Sequence, residues 1–352
     1  MAFNQELEAV IQAFSGHGVD EESLVTSLGK WDHLERESFR KKTPHLFTED
    51  HERHFQRWDD HYVRLLKHEF VRFKNAVVLW TMHPWERDAR LIKEALKKGP
   101  KAYGVVIEVA CTRSAEELLG ARKAYHSLFD HSIEEDLASH IHGIERKLLV
   151  ALVSAYRYEG PKVKDDTAKS EAKILSNAIK NTHKKPLNED DEVIRILATR
   201  SKPHLHAIYK HYKEISGKNL DEDLDDLRFK ETVQCLCTPQ IYFSKVLNAA
   251  LKIDVDKNTK KSLTRVIVTR ADIDMKEINA EYHNLYGVSL PQKVEEVARG
   301  NYKDFLLNLI PNFPWIVADH FSLLDASSSC IIIVTKTKVK SRRVEQSLYT
   351  SH

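Results

Sequence analysis

Glycine and proline are scarce in this chain of 352 residues, at 11 and 10. So few turn formers exclude a loop-rich or collagen-like chain and suit helices joined by short turns. Cysteine is scarcer still. The four are Cys111, Cys235, Cys237 and Cys330, and the close pair stands two apart with no second pair elsewhere. That spacing excludes the usual zinc sites, and a reduced, cytosolic chain is expected. No run of 18 apolar residues occurs, so no membrane-spanning helix is expected. The opening MAFNQELEAVIQAF has neither a basic region nor a small-residue cleavage site and does not read as a secretory signal. An excess of one charge is also missing. With 54 basic and 52 acidic residues the net charge is +2, which argues against bulk electrostatic binding to nucleic acid.

What the chain does have is repetition. A block recurs three times, a Thr-Arg pair followed by apolar residues at +5, +8, +12 and +15 from the arginine. From Arg113 these are Leu118, Ala121, Tyr125 and Leu128; from Arg200, Leu205, Ile208, Tyr212 and Ile215; from Arg270, Met275, Ile278, Tyr282 and Leu285. The step is one face of an α-helix. The match continues at +20 (Ile133, Leu220, Leu290) and +24 (Leu137, Leu224, Val294). Matching offsets over that distance mark internal repeats, and repeats fix architecture before any single residue is interpreted. Aligning Trp80, Leu152, Leu236 and Leu309 gives steps of 72, 84 and 73 residues, hence four units. Each has room for about five short helices. The first fits loosely, around Lys30 to Phe47, and carries extra charged residues from Thr48 to His61.

Helix starts agree with this division. Ser132, Asn219 and Ser289 precede the +20 positions and are expected N-caps. The acidic run Asp221 to Asp226 then reads as a solvated helix start, where the helix dipole favours carboxylates, rather than a metal site. The longest linker is Tyr158 to Lys169. Residues 311–352 break the pattern: Pro311 and Pro314 end the last helix, and a basic stretch from Lys336 to Arg343 follows a β-prone run at Cys330 to Val334. This tail is expected to be poorly ordered, either solvated or touching anionic lipid.

The best chemical candidate is the segment Phe14 to Glu21, FSGHGVDE. Gly16 and Gly18 let the backbone turn several carbonyls toward one point. Carbonyl oxygens suit Ca²⁺, which takes six to eight oxygens at flexible angles, with a carboxylate such as Glu69 completing the set. The competing reading is an ordinary glycine-rich helix turn.

Four further stretches carry a family resemblance. Trp80 to Ala89 (WTMHPWERDA) is similar to the junction between repeats one and two of plant annexins. Ala110 to Tyr125 and Arg265 to Ala271 are similar to helix junctions within annexin repeats, and Gly300 to Leu307 to the family's final helix. The resemblance implies an all-α fold of four repeats of about five short helices, forming a curved disc. The repeats would span 5–82, 83–157, 168–239 and 240–310, with 311–352 as an atypical tail. It implies calcium-dependent docking on acidic phospholipid membranes, with a cytoplasmic chain held peripherally. The implied Ca²⁺ ligands are the carbonyls of Phe14, Gly16 and Gly18 and the Glu69 carboxylate, with lipid phosphate filling the open positions.

Departures from the family pattern are informative. Val19 stands where a helix-capping threonine is expected, and Glu69 follows Gly18 by 51 residues, so the loop must hold an insertion. In the second unit Gly99 is followed by Pro100, and His140 replaces the acid. The third has His183 to Leu187 without glycine; the fourth has Lys252 to Val255, with Val297 at the acid's position. At most one principal calcium site is expected. Asp254 to Asn258 begins like an EF-hand but lacks its glycine and its closing acid. Ile194-Arg195-Ile196 resembles an actin-binding tripeptide proposed in the family, and also reads as core flanking one arginine. Asp88 and Arg113 are similar in position to acid–base pairs lining the family's central polar channel, and the preferred reading is a buried structural ion pair between repeats. No catalytic constellation is found, so no enzymatic activity is expected. The alternative to calcium-bridged docking is a calcium-independent membrane- or F-actin-associated scaffold.

Overall fold

The computed structural model describes residues 5–8, 10, 27–50, 54–60, 63, 72–143, 145–154, 157–252, 255–298 and 300–311. Contacts divide the chain into Met1–Asn312 and Phe313–His352; the second unit, and with it nearly all of the expected tail, lies outside the described residues.

Helices α1 (His33–Lys42) and α2 (Phe73–Thr81) flank a short hairpin. Five helices follow: α3 (Pro84–Lys98), α4 (Gly104–Thr112), α5 (Ala115–Phe129), α6 (Ile133–His140) and α7 (Arg146–Ser154). The next group has four: α8 (Asp165–Lys180), α9 (Asp191–Thr199), α10 (Lys202–Ser216) and α11 (Leu227–Cys237). The last again has five: α12 (Pro239–Ala250), α13 (Lys257–Arg270), α14 (Met275–Tyr286), α15 (Leu290–Val297) and α16 (Gly300–Asn308). The same pairing recurs in each group, α3 on α5, α8 on α10 and α12 on α14. Helix α2 packs on α13 and α16, so the first and last quarters of the chain are neighbours.

The repeated block explains this packing. Its +5, +8 and +12 residues are buried in all three copies, and Tyr125, Tyr212 and Tyr282 are at most 1% exposed. The +15 position is the exception. Ile215 and Leu285 are 38% and 41% exposed, next to the last residue of their helices. The stop is local. Gly217 and Gly287 sit at +17 with φ of 78° and 70°, a left-handed conformation that only glycine adopts without strain, and Asp130 takes the third such position at 58°.

Caps set the starts. Ser132 caps α6 with a reciprocal bond to Glu135, and Ser289 caps α15. Asn219 does not cap a helix: residues 220–226 form turns. The acids that were expected to open that helix are bonded elsewhere. Tyr209 and Gln234 donate to Asp221 at 2.6 and 2.8 Å, Tyr212 donates to Asp223 at 2.9 Å, and Asp226 caps α11. Side chains held this way favour turns over helix propagation. Leu220 and Leu224 are buried all the same.

The extra segment of the first unit is another departure. Strands β1 (Phe47–Asp50) and β2 (Phe55–Trp58) pair antiparallel with Phe47 opposite Trp58. Phe47, Phe55 and Trp58 are buried while the residues between Phe55 and Trp58 stay partly exposed. The Trp58 amide donates to Glu86 at 2.9 Å and its indole to Thr81 at 3.1 Å, which docks the hairpin on α2 and α3. The linker is shorter than expected, since α8 begins at Asp165. It is also pinned. Arg157 donates to the Leu197 carbonyl at 2.7 Å, and Glu159 accepts from the Ala115 amide at 2.8 Å.

Candidate functional site

Phe14, Gly16, Gly18 and Glu69, the implied Ca²⁺ ligands, lie outside the described residues. Their donor chemistry fits the ion, three carbonyl oxygens and one carboxylate being hard oxygen ligands. The corresponding turns of the other units are described at least in part, and several of their donors are committed elsewhere. Between α3 and α4, Gly99 caps the helix with its N–H on the Ala95 and Leu96 carbonyls. The next carbonyl, that of Pro100, accepts from Arg228. His140, at the acid's place, is 2.8 Å from the Asp136 carbonyl through Nδ1. Between α8 and α9, residues 181–185 form a turn with Lys184 and Lys185 exposed. Before α13, Lys252 is exposed and Asp256 caps the helix, accepting from the Asn258 and Thr259 amides. The EF-hand-like acids thus include a helix cap. No group of three or more metal-ligating side chains occurs among the described residues. Lysines stand in these turns and in the adjoining helix ends instead: Lys97, Lys98 and Lys101, then Lys180, Lys184 and Lys185, then Lys252, Lys257, Lys260 and Lys261.

The polar centre is well defined. Asp88 on α3 accepts two bonds from Arg113, at 2.5 and 2.9 Å, with side-chain exposures of 2% and 4%. Both residues lie within 83–157, so the pair ties α3 to the end of α4 rather than joining two repeats. Burial opposes the Arg113 charge, but Asp88 more than offsets it and raises the guanidinium pKa. Beside them, Arg265 on α13 grips Glu108 on α4 at 2.8 and 2.9 Å, and the Tyr242 hydroxyl on α12 donates to the same acid at 3.1 Å. Arg270 bonds Asp274 at 2.7 Å and the Thr112 hydroxyl at 3.0 Å. Leu91, Glu108, Arg113, Arg265 and Arg270 line a small cavity between these helices. The charges around it are paired in short bonds, an arrangement that holds four helices in register.

A second network surrounds Glu171 on α8, which accepts from Arg195 at 2.9 Å, Arg200 and His204. Burial would raise the Glu171 pKa, but the bonds from Arg200, Arg195 and His204 hold it below the usual carboxylate range. Arg195 is therefore occupied within the fold, and its neighbours Ile194 and Ile196 are buried.

The pairing of Glu108 with Arg265 is absent from the sequence-based expectations, since 157 positions separate them. A signal existed: Glu108 is the one charged residue in the apolar helix GVVIEVACT. The acids at +23, Asp136 and Asp223, were also legible as a repeat. They accept from the +12 tyrosines Tyr125 and Tyr212. In the third copy Lys293 stands there, and Tyr282 turns to Asn248 at 3.2 Å.

Comparison with known proteins places these features. A family model described as Annexin matches residues 87–152, 170–227 and 242–309. Annexin D4 of Arabidopsis thaliana is 57% identical over 316 residues, covering 88% of this chain and 99% of that protein. Annexin Gh1 of Gossypium hirsutum is 38% identical, covering 87% and 94%. Among solved structures, annexin III superposes with a TM-score of 0.73 at 25% identity, covering 88% of this chain and 94% of that one.

Proposed function

Because this chain belongs to the annexin family, whose members bind membranes in a calcium-dependent manner, we propose that it docks peripherally on acidic phospholipid through Ca²⁺ held by its first repeat. The observation that carries the reading is the uneven distribution of donors. Gly16, Gly18 and Glu69 retain the family's ligand pattern. The Pro100 carbonyl, His140 and Asp256 of the later turns are already bonded within the protein. The carbonyls of Phe14, Gly16 and Gly18 and the carboxylate of Glu69 would hold the ion. Bound Ca²⁺ supplies positive charge and open positions for phosphate oxygens. Among the described residues no helix is long and apolar enough to cross a membrane.

A second reading draws on the lysines of the later turns. They place cations where the family's other repeats present Ca²⁺, which favours a calcium-independent electrostatic attraction to anionic surfaces, whether lipid or F-actin. Co-sedimentation with phosphatidylserine vesicles separates the two. With Ca²⁺ the chain is expected in the pellet; with EGTA most of it stays soluble. Glu69→Gln is expected to raise the calcium needed for half-maximal binding. Equal pelleting in calcium and EGTA, unchanged by Glu69→Gln, rejects the calcium bridge and leaves the electrostatic reading.

A further inference from the structure

Two guanidiniums are enclosed in this fold with no counter-charge of their own. Arg40, near the end of α1, is 3% exposed, and Arg87, in the first turns of α3, is 6% exposed. The Nε of each is buried without a hydrogen-bond partner, and neither guanidinium enters an ion pair among the described residues. Two further donors stand with them. Arg36 lies one turn before Arg40 on α1, and His83, the N-cap of α3, lies one turn before Arg87. Arg36 is within electrostatic reach of both Arg40 and Arg87, and His83 is within reach of the same two.

The acids nearby have other partners. Asp272 accepts from Arg36, Asp88 holds Arg113, Glu86 holds Arg90 at 2.8 Å, and Glu37 holds Lys41 at 2.6 Å. Asp32 and Glu35, which also reach Arg36, are held in the capping box of α1, and Arg40 and Arg87 are left without an acid in an ion pair among the described residues. Burial draws both pKa values down to about 10, so both remain charged at neutral pH. An unpaired buried charge is strongly unfavourable, and arginine does not escape it by losing a proton. His83 adds a neutral donor. Its Nδ1 accepts from the Trp85 amide at 3.2 Å, which leaves the proton on Nε2. Burial, then Arg40 and Arg87, push its pKa down to about 3. Phe55 and Trp85 hold the ring, with centroids 5.3 and 4.9 Å away. The 15-residue helix α3 directs its positive end to the same place.

We infer that Arg40, Arg87 and His83, with Arg36 behind them, form a binding site for a phosphoryl oxyanion. Two planar forks and an imidazole N–H supply more donors than a single carboxylate can accept, whereas a phosphoryl group offers three oxygens. The inference is independent of the membrane reading, since a free anion suffices to test it.

The test titrates inorganic phosphate into the full chain in EGTA, against chloride at matched ionic strength, by thermal unfolding and calorimetry. The wild type is expected to show a saturable rise in Tm. Arg87→Met is expected to weaken phosphate binding about tenfold or more, the loss of a charged hydrogen-bond donor. It should not lower Tm in chloride, because it removes an unpaired charge. Arg40→Lys, which keeps the charge and loses the fork, serves if the methionine variant does not fold, and is expected to weaken binding less. A rise that never saturates, or one equal in both variants and wild type, overturns the site. Vesicles of phosphatidylcholine with phosphatidylinositol 4-phosphate distinguish the source. Arg87-dependent retention assigns a lipid phosphomonoester, and saturable binding of phosphate without such retention assigns a free one.

Discussion

The arginines that open the three repeated blocks each end on a different acid. Arg113 meets Asp88 behind it on α3, Arg200 meets Glu171 on α8, and Arg270 meets Asp274 one turn ahead. The arginines were readable because their offset to the apolar block is constant; the acids were not, because theirs changes from copy to copy. Two outcomes follow from such pairs. Asp88→Asn leaves the Arg113 charge buried and uncompensated, so urea unfolding at neutral pH is expected to show a loss of about 3–5 kcal/mol. A double change that also replaces Arg113 with methionine should cost less than Asp88→Asn alone. Glu171 has a folded pKa below its unfolded value of 4.5. Its contribution is therefore complete above that pH and is lost as pH falls through the lowered folded value. Glu171→Gln is expected to reduce stability at neutral pH and to flatten this acid limb of the urea midpoint measured between pH 3 and 7.

At the scale of elements, local signals were accurate wherever the chain satisfies its own backbone. Ser132 and Ser289 placed helix starts correctly, since caps act within a few residues. The failures at Asn219 and at the hairpin share a cause: the deciding partners are distant in sequence. Tyr209, Tyr212 and Gln234 claim the acids after Asn219, and Glu86 with Thr81 claims Trp58. Ser132→Ala is expected to cost about 1 kcal/mol, read as a shift in the urea midpoint with unchanged slope. Gly120→Ala has a different origin. A Cβ there would come within 2.1 Å of the Trp85 ring, where α5 crosses α3. The ring must move, so a loss of about 1–3 kcal/mol is expected with a shifted tryptophan emission, and an unchanged spectrum would refute the close approach.

For the whole molecule, the pairing of α2 with α13 brings the first and last units together, and the Glu108–Arg265 bond crosses from the second unit to the fourth. These contacts make the polar centre a joint product of units that are far apart in the chain. Membrane attachment also belongs to this scale, because the lysine-bearing turns of separate units would have to act together. Lys184→Glu with Lys185→Glu is expected to weaken whatever binding to phosphatidylserine vesicles persists in EGTA by about tenfold or more. Raising the salt should weaken the same component, since exposed charges are screened within about 8–10 Å near physiological ionic strength. Vesicle binding in EGTA that is indifferent to both changes would remove the lysines from the mechanism.

By itself the sequence determined the repeats, the helical class and the buried faces of α5, α10 and α14, because these depend on periodicity and on caps that act over a turn or two; the family was legible in the resemblance of stretches such as Trp80 to Ala89. The first repeat's calcium ligands also remain a reading of sequence pattern, in Gly16, Gly18 and Glu69. Only the tertiary structure decided that Asp221 and Asp223 are held by tyrosines, that Glu108 answers Arg265, and that Arg40 and Arg87 are enclosed without an ion pair among the described residues. Charge pairing is settled by what packing brings within about 4 Å, and no spacing along one chain encodes which partner arrives.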